Sequence, residues 1–121
     1  MDDVRRYLPL SAQQFHILLA LVDAERHGYG IILEIAEGTR GALRLGTGTL
    51  YTALARLLEN GLIADARRRP AAGADDERRR YYRLTPLGRA VLTAETARLD
   101  ALVRHARKKG ISGVHRPAAA R

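Results

Sequence analysis

The sequence has no cysteine, no tryptophan and only one phenylalanine among its 121 residues. The absence of cysteine excludes disulfides, thiolate metal sites and cysteine nucleophiles. No apolar run reaches the roughly 18 residues that a membrane-spanning helix needs, and the start of the chain carries Asp2 and Asp3 where a signal peptide would be basic. We therefore expect a cytoplasmic protein that has no membrane partner.

Motifs that would indicate catalysis or a bound cofactor are missing as well. The four histidines show neither the H-x-x-x-H nor the histidine–carboxylate spacing that is typical of metal sites. Gly46 and Gly48 have the spacing of the first two glycines of a dinucleotide-binding motif, but the third glycine and the preceding buried strand are absent. The sequence therefore predicts no enzyme, no cofactor and no metal site.

Positive charge is concentrated in the second half of the chain. The formal net charge is +8, of which residues 1–66 contribute −2 and residues 67–121 contribute +10. This asymmetry favours a polyanionic partner, either nucleic acid or an anionic membrane surface, and a solvated basic surface is the alternative. A chain of this length has room for one ordinary hydrophobic core, so we expect one domain.

Two helices are predicted in the first forty residues. Ser11 and Gln14 form a capping box, and apolar residues then recur with helical spacing until His27. The two glycines after His27 predict a tight turn between helices. The second helix spans residues 29–37, and Gly38 suits the left-handed conformation that ends many helices.

Two further helices are more clearly delimited. The third spans residues 47–60, is capped by Thr47 or Thr49, and carries a stripe of leucines on one face. The fourth begins at Thr85 and Pro86, where threonine caps the helix and proline occupies its first position. It runs to Lys109.

A hairpin is predicted between the third and fourth helices. Residues 62–67 and 80–85 alternate in polarity like short strands, and the loop between them has low hydrophobicity. Three helices followed by a hairpin is the layout of a winged helix, in which the third helix enters the major groove and the hairpin lies along the flanking backbone. The expected fold is mostly α-helical, with a small two-stranded β-wing and a C-terminal dimerisation helix.

Several short motifs, in this order and spacing, are similar to those of one bacterial family. They are Leu19-Ala20-Leu21, His27-Gly28-Tyr29-Gly30-Ile31, Gly48-Thr49-Leu50-Tyr51, Leu54, Arg56-Leu57, Asn60-Gly61-Leu62-Ile63, Arg79-Arg80-Tyr81-Tyr82 and Leu84-Thr85-Pro86-Leu87-Gly88. With this set, residues 8–108 resemble the PadR family of transcriptional regulators, and the single C-terminal helix resembles the subgroup with abbreviated C-termini. Thr52, where many members have proline, and the acidic loop residues 75–77 depart from the family's pattern.

The resemblance implies a sequence-specific, DNA-binding regulator that acts as a homodimeric repressor on a pseudo-palindromic operator. Side chains whose hydroxyl or guanidinium groups can reach phosphates or base edges are predicted to bind this double-stranded DNA. These are Tyr29, Thr47, Thr49, Tyr51, Thr52, Arg56, Arg67, Arg78, Arg79 and Arg80. The alternatives are that both tyrosines pack within the domain, that the threonines are helix caps and that the arginines are merely solvated.

The fourth helix carries more apolar surface than a small trihelical core requires. The resemblance implies that this helix pairs with helix one of a second subunit. The predicted dimer contacts are Phe15, Leu92, Leu99, Leu102, Val103 and Ala106. The alternative is an amphipathic helix packed only on its own domain.

The predicted organisation has four parts. An N-terminal arm spans residues 1–10, the winged helix-turn-helix domain 11–85, the dimerisation helix 86–110 and a disordered tail 111–121. Members of the family often respond to a small-molecule effector, but no residue pattern identifies one here. A second functional class is a winged-helix module that binds protein rather than DNA, for which less arginine and more exposed large apolar groups would be expected.

Overall fold

The computed structural model describes residues 3–66 and 80–113. Within these residues the chain forms four α-helices and a three-stranded antiparallel sheet, preceded by a 3₁₀ helix at Val4–Tyr7. The helices are α1 (Ala12–Ala20), α2 (Gly28–Gly38), α3 (Thr47–Glu59) and α4 (Pro86–Lys108), and the strands are β1 (Arg26–His27), β2 (Ile63–Ala66) and β3 (Tyr81–Leu84). The predicted mostly α-helical architecture with a small β-wing is confirmed. None of these helices combines the length and the hydrophobicity that a bilayer crossing requires.

The first helix is shorter than the apolar spacing predicts. It begins at the predicted capping box but ends at Ala20 rather than at His27. The guanidinium of Arg26 donates a hydrogen bond of 2.7 Å to the Ala20 carbonyl and pairs with Asp23 and Glu34. Because this arginine satisfies a carbonyl at the end of the helix, the chain turns back there and Arg26 enters strand β1.

The segment that starts at His27 is not the predicted tight turn between two helices. His27 ends β1 and caps α2, since its Nδ1 accepts a hydrogen bond from a backbone N–H of the first turn. The prediction that Gly38 is left-handed is also wrong. The positive φ angles fall at Arg40 (53°) and Gly41 (82°), because the Gly41 N–H bonds back to the Ala36 carbonyl at 2.7 Å and displaces the turn.

The third helix occupies the predicted position. Gly46 is its N-cap and no side chain caps it, so the predicted capping by Thr47 or Thr49 is wrong. The helix starts earlier than those caps require, because the Gly46 carbonyl already accepts the first helical hydrogen bond. Three leucines form its buried face: Leu50, Leu54 and Leu57.

The sheet places β3 between β1 and β2. Ile63 of β2 opposes Leu84 of β3, which confirms the predicted hairpin strands to within one residue at each end. Arg26 of β1 opposes Tyr82 on the other edge of β3. The predicted sheet had two strands, and β1 is a third strand that the prediction missed. At two residues, β1 is too short to show the alternating pattern by which a strand is recognised in a sequence. The predicted loop of residues 68–79 lies outside the described residues.

The hydrophobic core lies between α1, α2, α3, the sheet and the first half of α4. Its largest fully buried apolar side chains include Ile17, Leu18, Ile31, Leu50, Leu54, Leu57, Leu62, Ile63, Tyr82 and Val91. Thr85 caps α4 as predicted, with its hydroxyl accepting a hydrogen bond from Gly88. The chain before α1 packs on this core through half-buried side chains, namely Val4, Tyr7, Leu8 and Leu10. Only residues 111–113 of the predicted tail are described.

Candidate nucleic-acid interface

The outer face of α3 is polar and open. Five of the predicted DNA-binding side chains are exposed on this helix: Thr47, Thr49, Tyr51, Thr52 and Arg56. Because the leucines of the opposite face are buried, the helix is held by the core along one side and free along the other. Arg56 takes part in none of the ion pairs formed within the described part of the chain. Its guanidinium is therefore available to a phosphate or to the edge of a guanine.

Tyr51 has a structural contact as well as an exposed surface. Its hydroxyl lies against Gly28, the first residue of α2, where an added Cβ would overlap it. Glycine is therefore the residue that lets the tyrosine reach this position. The ring still keeps 48% of its surface exposed, so packing against α2 and contact with a ligand are compatible at Tyr51.

A groove of about 700 Å³ runs along α3, between that helix and the chain that enters α1. One wall is formed by α3: Gly48, Thr49, Thr52, Ala53 and Arg56. The other wall is formed by Pro9, Ser11, Gln13 and Gln14. The sequence predicts the first wall and not the second, because only the packing of α1 against α3 brings the two together. The capping box at Ser11 predicts where α1 begins, but it does not predict that this part of the chain lies beside α3.

Arg80 lies at the base of the wing, immediately before β3. Its Nε donates a hydrogen bond of 2.9 Å to Oδ1 of Asp65, and its Nη2 forms an ion pair with the same oxygen at 2.7 Å. The guanidinium carbon stands 5.4 Å from the ring centre of Tyr82. The hydrogen bond with Asp65 raises the pKa of Arg80 further above its already high ordinary value. Both partners are largely exposed, and such a pair adds little stability. Asp65 thus offsets the charge of Arg80.

The remaining predicted DNA contacts fall into two groups. Tyr29, in the first turn of α2, is 60% exposed and directly follows the glycine that supports Tyr51. Tyr29 is thus largely exposed and is not part of the core. The three other wing arginines, Arg67, Arg78 and Arg79, lie outside the described residues.

The predicted dimer contacts lie in two different environments. Leu92 is buried in the hydrophobic core, and Phe15 is partly buried against the same core. The exposed fractions of Leu99, Leu102 and Val103 are 36%, 53% and 43%, and Ala106 is half-buried. These four residues lie beyond Glu95, the last buried residue of α4. The second half of α4 therefore presents apolar surface that the described part of this chain does not cover.

Comparisons with protein families and with individual proteins both match this chain to transcriptional regulators. The family model described as "Transcriptional regulator PadR-like family" matches residues 17–94. The chain is also 38% identical over 94 residues to Transcriptional regulator Rv3488 of Mycobacterium tuberculosis, and this match covers 78% of the chain and 81% of that protein.

Solved structures add the three-dimensional likeness. A transcriptional regulator from Clostridium thermocellum is 30% identical with a TM-score of 0.65, over 88% of this chain and 97% of the other. A PadR family transcription regulator from Clostridium difficile has a TM-score of 0.70 over 81% of this chain and 97% of its own, and at 24% identity it shows the fold alone. The predicted resemblance and the winged helix-turn-helix fold are confirmed.

Proposed function

This chain belongs to the PadR-like family of transcriptional regulators, and we propose that it is a repressor that binds a pseudo-palindromic DNA operator as a homodimer. The family is one of regulators and not of enzymes. The observation that carries the proposal is the exposed polar face of α3 above a buried leucine face. A dimer that covers an operator excludes other proteins by occupancy, which makes repression the simplest outcome. The proposal places the protein in the cytoplasm, together with its DNA.

In this proposal α3 lies in the major groove and reads base edges. Thr49 and Thr52 are small enough for close approach, and Arg56 can bond a guanine through two hydrogen bonds. Arg56 is the only basic residue of α3, so most of the electrostatic attraction has to come from elsewhere. We assign it to the wing arginines that the sequence predicts to bind DNA, of which Arg80 is the one that lies in the described residues. Affinity should therefore fall steeply as the salt concentration rises.

The homodimer is proposed to form through the second half of α4. This helix has 23 residues, which corresponds to a length of about 34 Å. Its exposed apolar residues would be buried against α1 of a second subunit, and burial of such residues is the main driving force for association. The two copies of α3 would then enter successive major grooves about 34 Å apart.

Release of the operator by a small molecule is a further part of the proposal. A groove of about 490 Å³ lies between Val22 and α4, lined also by Leu92, Thr96 and Ala97, at the place where a partner helix would close it. No aromatic side chain lines this groove, so flat aromatic ligands would find nothing to stack on. A thermal-shift screen against a metabolite panel tests this part, and the absence of any hit would remove it. We propose no cofactor.

Sequencing of DNA selected from a random pool by the purified protein tests the proposed function. The selected sequences are expected to share two inverted half-sites, centred about one helical turn or a multiple of it apart. Arg56→Ala should relax the selected sequence, whereas the control Arg5→Ala, at an exposed arginine of the 3₁₀ helix, should leave it unchanged. Absence of enrichment by the folded protein would refute the proposal and favour the protein-binding module instead.

A further inference from the structure

Glu95 of α4 is the only charged residue that is buried in the described part of the chain, with 1% of its surface exposed. Its Oε2 accepts a hydrogen bond of 3.0 Å from the backbone N–H of Leu10. Arg98 donates to the two carboxylate oxygens at 2.6 and 2.9 Å. A buried carboxylate is tolerated only when it is well hydrogen-bonded. The arrangement therefore ties the chain before α1 to the middle of α4.

Leu10 lies in the chain between two residues of the second wall of the groove along α3. Its two neighbours, Pro9 and Ser11, line that groove on the side opposite Thr52 and Arg56. Ser11 is also the N-cap of α1, so a displacement of Leu10 would move the first turn of the helix with it. The hydrogen bond from Leu10 to Glu95 thus ties the chain that carries the wall to α4.

We propose that Glu95 is a positioning residue for DNA binding, which holds the wall formed by residues 9–14 beside α3 through its hydrogen bond with Leu10. This inference rests on the proposed function, because the wall affects DNA only if α3 binds it. The half of α4 that follows Glu95 carries the proposed dimer contacts. The hydrogen bond consequently links the helix that assembles the dimer to the surface that reads the operator.

The test makes two measurements on the full chain, well below its unfolding temperature. Fluorescence anisotropy measures the affinity for the operator, and amide hydrogen exchange measures the protection of residues 9–14 and of α3. Glu95→Ala removes the acceptor and is expected to weaken operator binding about tenfold, because the released wall has to be ordered again when DNA binds. Exchange should become faster over residues 9–14 and stay unchanged in α3. Glu95→Gln keeps an oxygen that can accept from Leu10 and should restore most of the affinity. The control is Glu37→Ala, at an exposed carboxylate of α2 that lines neither the groove along α3 nor the groove beside α4, and it should bind like the wild type.

Three results would overturn the proposal. One is unchanged affinity in Glu95→Ala despite faster exchange over residues 9–14, and another is weaker binding without any change in that exchange. The third is an equal loss in Glu95→Ala and Glu95→Gln. Should Glu95→Ala fail to fold, Glu95→Asp takes its place with the same expected results, because the shorter side chain withdraws the carboxylate from Leu10. If the wild-type protein selects no operator from random DNA, the proposed function itself fails and this inference falls with it.

Discussion

Gly88, the third residue of α4, lies against the chain that links α3 to β2, and its replacement by alanine probes this packing. An added Cβ would overlap the carbonyl oxygen of Leu62 and would stand 2.9 Å from the Cδ1 atom of Leu84. The Leu62 carbonyl is itself held in place, because it accepts a hydrogen bond of 3.2 Å from the Thr85 N–H. Alanine at this position therefore has to displace backbone and not merely the end of a flexible side chain.

Two opposing effects set the size of the change. Alanine is favoured over glycine within a helix by about 1 kcal/mol. Overpacking costs about 1–3 kcal/mol, and the upper end applies where backbone has to move. We therefore expect Gly88→Ala to lower the free energy of unfolding by about 2 kcal/mol. In a chain of this size that loss corresponds to a decrease in Tm of roughly 6–12 °C.

Thermal and urea denaturation, followed by circular dichroism at one fixed protein concentration, measure this loss. Gly38→Ala is the matched control. Gly38 is the last residue of α2, and a Cβ there would meet nothing within 4 Å. Its replacement should leave stability unchanged or raise it by about 0.5–1 kcal/mol. Equal Tm values for the two alanine variants would refute the close packing of α4 on Leu62.

The dimer helix, the base of the wing and the buried carboxylate each lead to a prediction. Aspartate at both Leu99 and Val103 should yield a monomer in analytical ultracentrifugation at micromolar concentration, because the interface would bury unpaired charge; a persisting dimer would contradict this. Asp65→Asn releases Arg80 from its ion pair, so the affinity for random DNA should rise and its slope against log salt should steepen by up to about 0.9; an unchanged slope would contradict it. Hydrogen bonds from the neighbouring arginine lower the pKa of Glu95 from its ordinary value of 4.5. The stabilisation by this carboxylate is thus complete above that value and is lost as the pH falls through the folded-state pKa. The Tm difference between wild type and Glu95→Gln should accordingly shrink on acidification, and a constant difference would show that the charge does not matter.

The parts of the fold that could be predicted from sequence are those specified by neighbouring residues. The capping box at Ser11 and the threonine–proline pair at Thr85 marked helix starts correctly, because each signal acts within one turn of helix. The exposed face of α3 followed from its leucine spacing in the same way. Helices α2, α3 and α4 were placed to within one residue at each end, whereas α1 was predicted with the correct start and too late an end.

The remaining features depend on contacts between residues that are distant in sequence. Strand β1 exists because Arg26 closes the end of α1 and then pairs with Tyr82 of β3. Leu10 and Glu95 are 85 positions apart, and no local pattern distinguishes this glutamate from an ordinary exposed one. No local pattern predicts the second wall of the groove either, because it lies beside α3 only as a result of the packing of α1 on α3.

The central claim is that α3 reads the sequence of the operator while the wing supplies charge. The most direct test is the ratio of operator affinity to random-DNA affinity, measured at several salt concentrations for Arg56→Ala and Arg80→Ala. We expect Arg56→Ala to lower this ratio by about tenfold, the discrimination that a good bidentate contact provides. Arg80→Ala should weaken binding to both DNAs equally and leave the ratio unchanged. A ratio that falls in Arg80→Ala and is preserved in Arg56→Ala would contradict the claim.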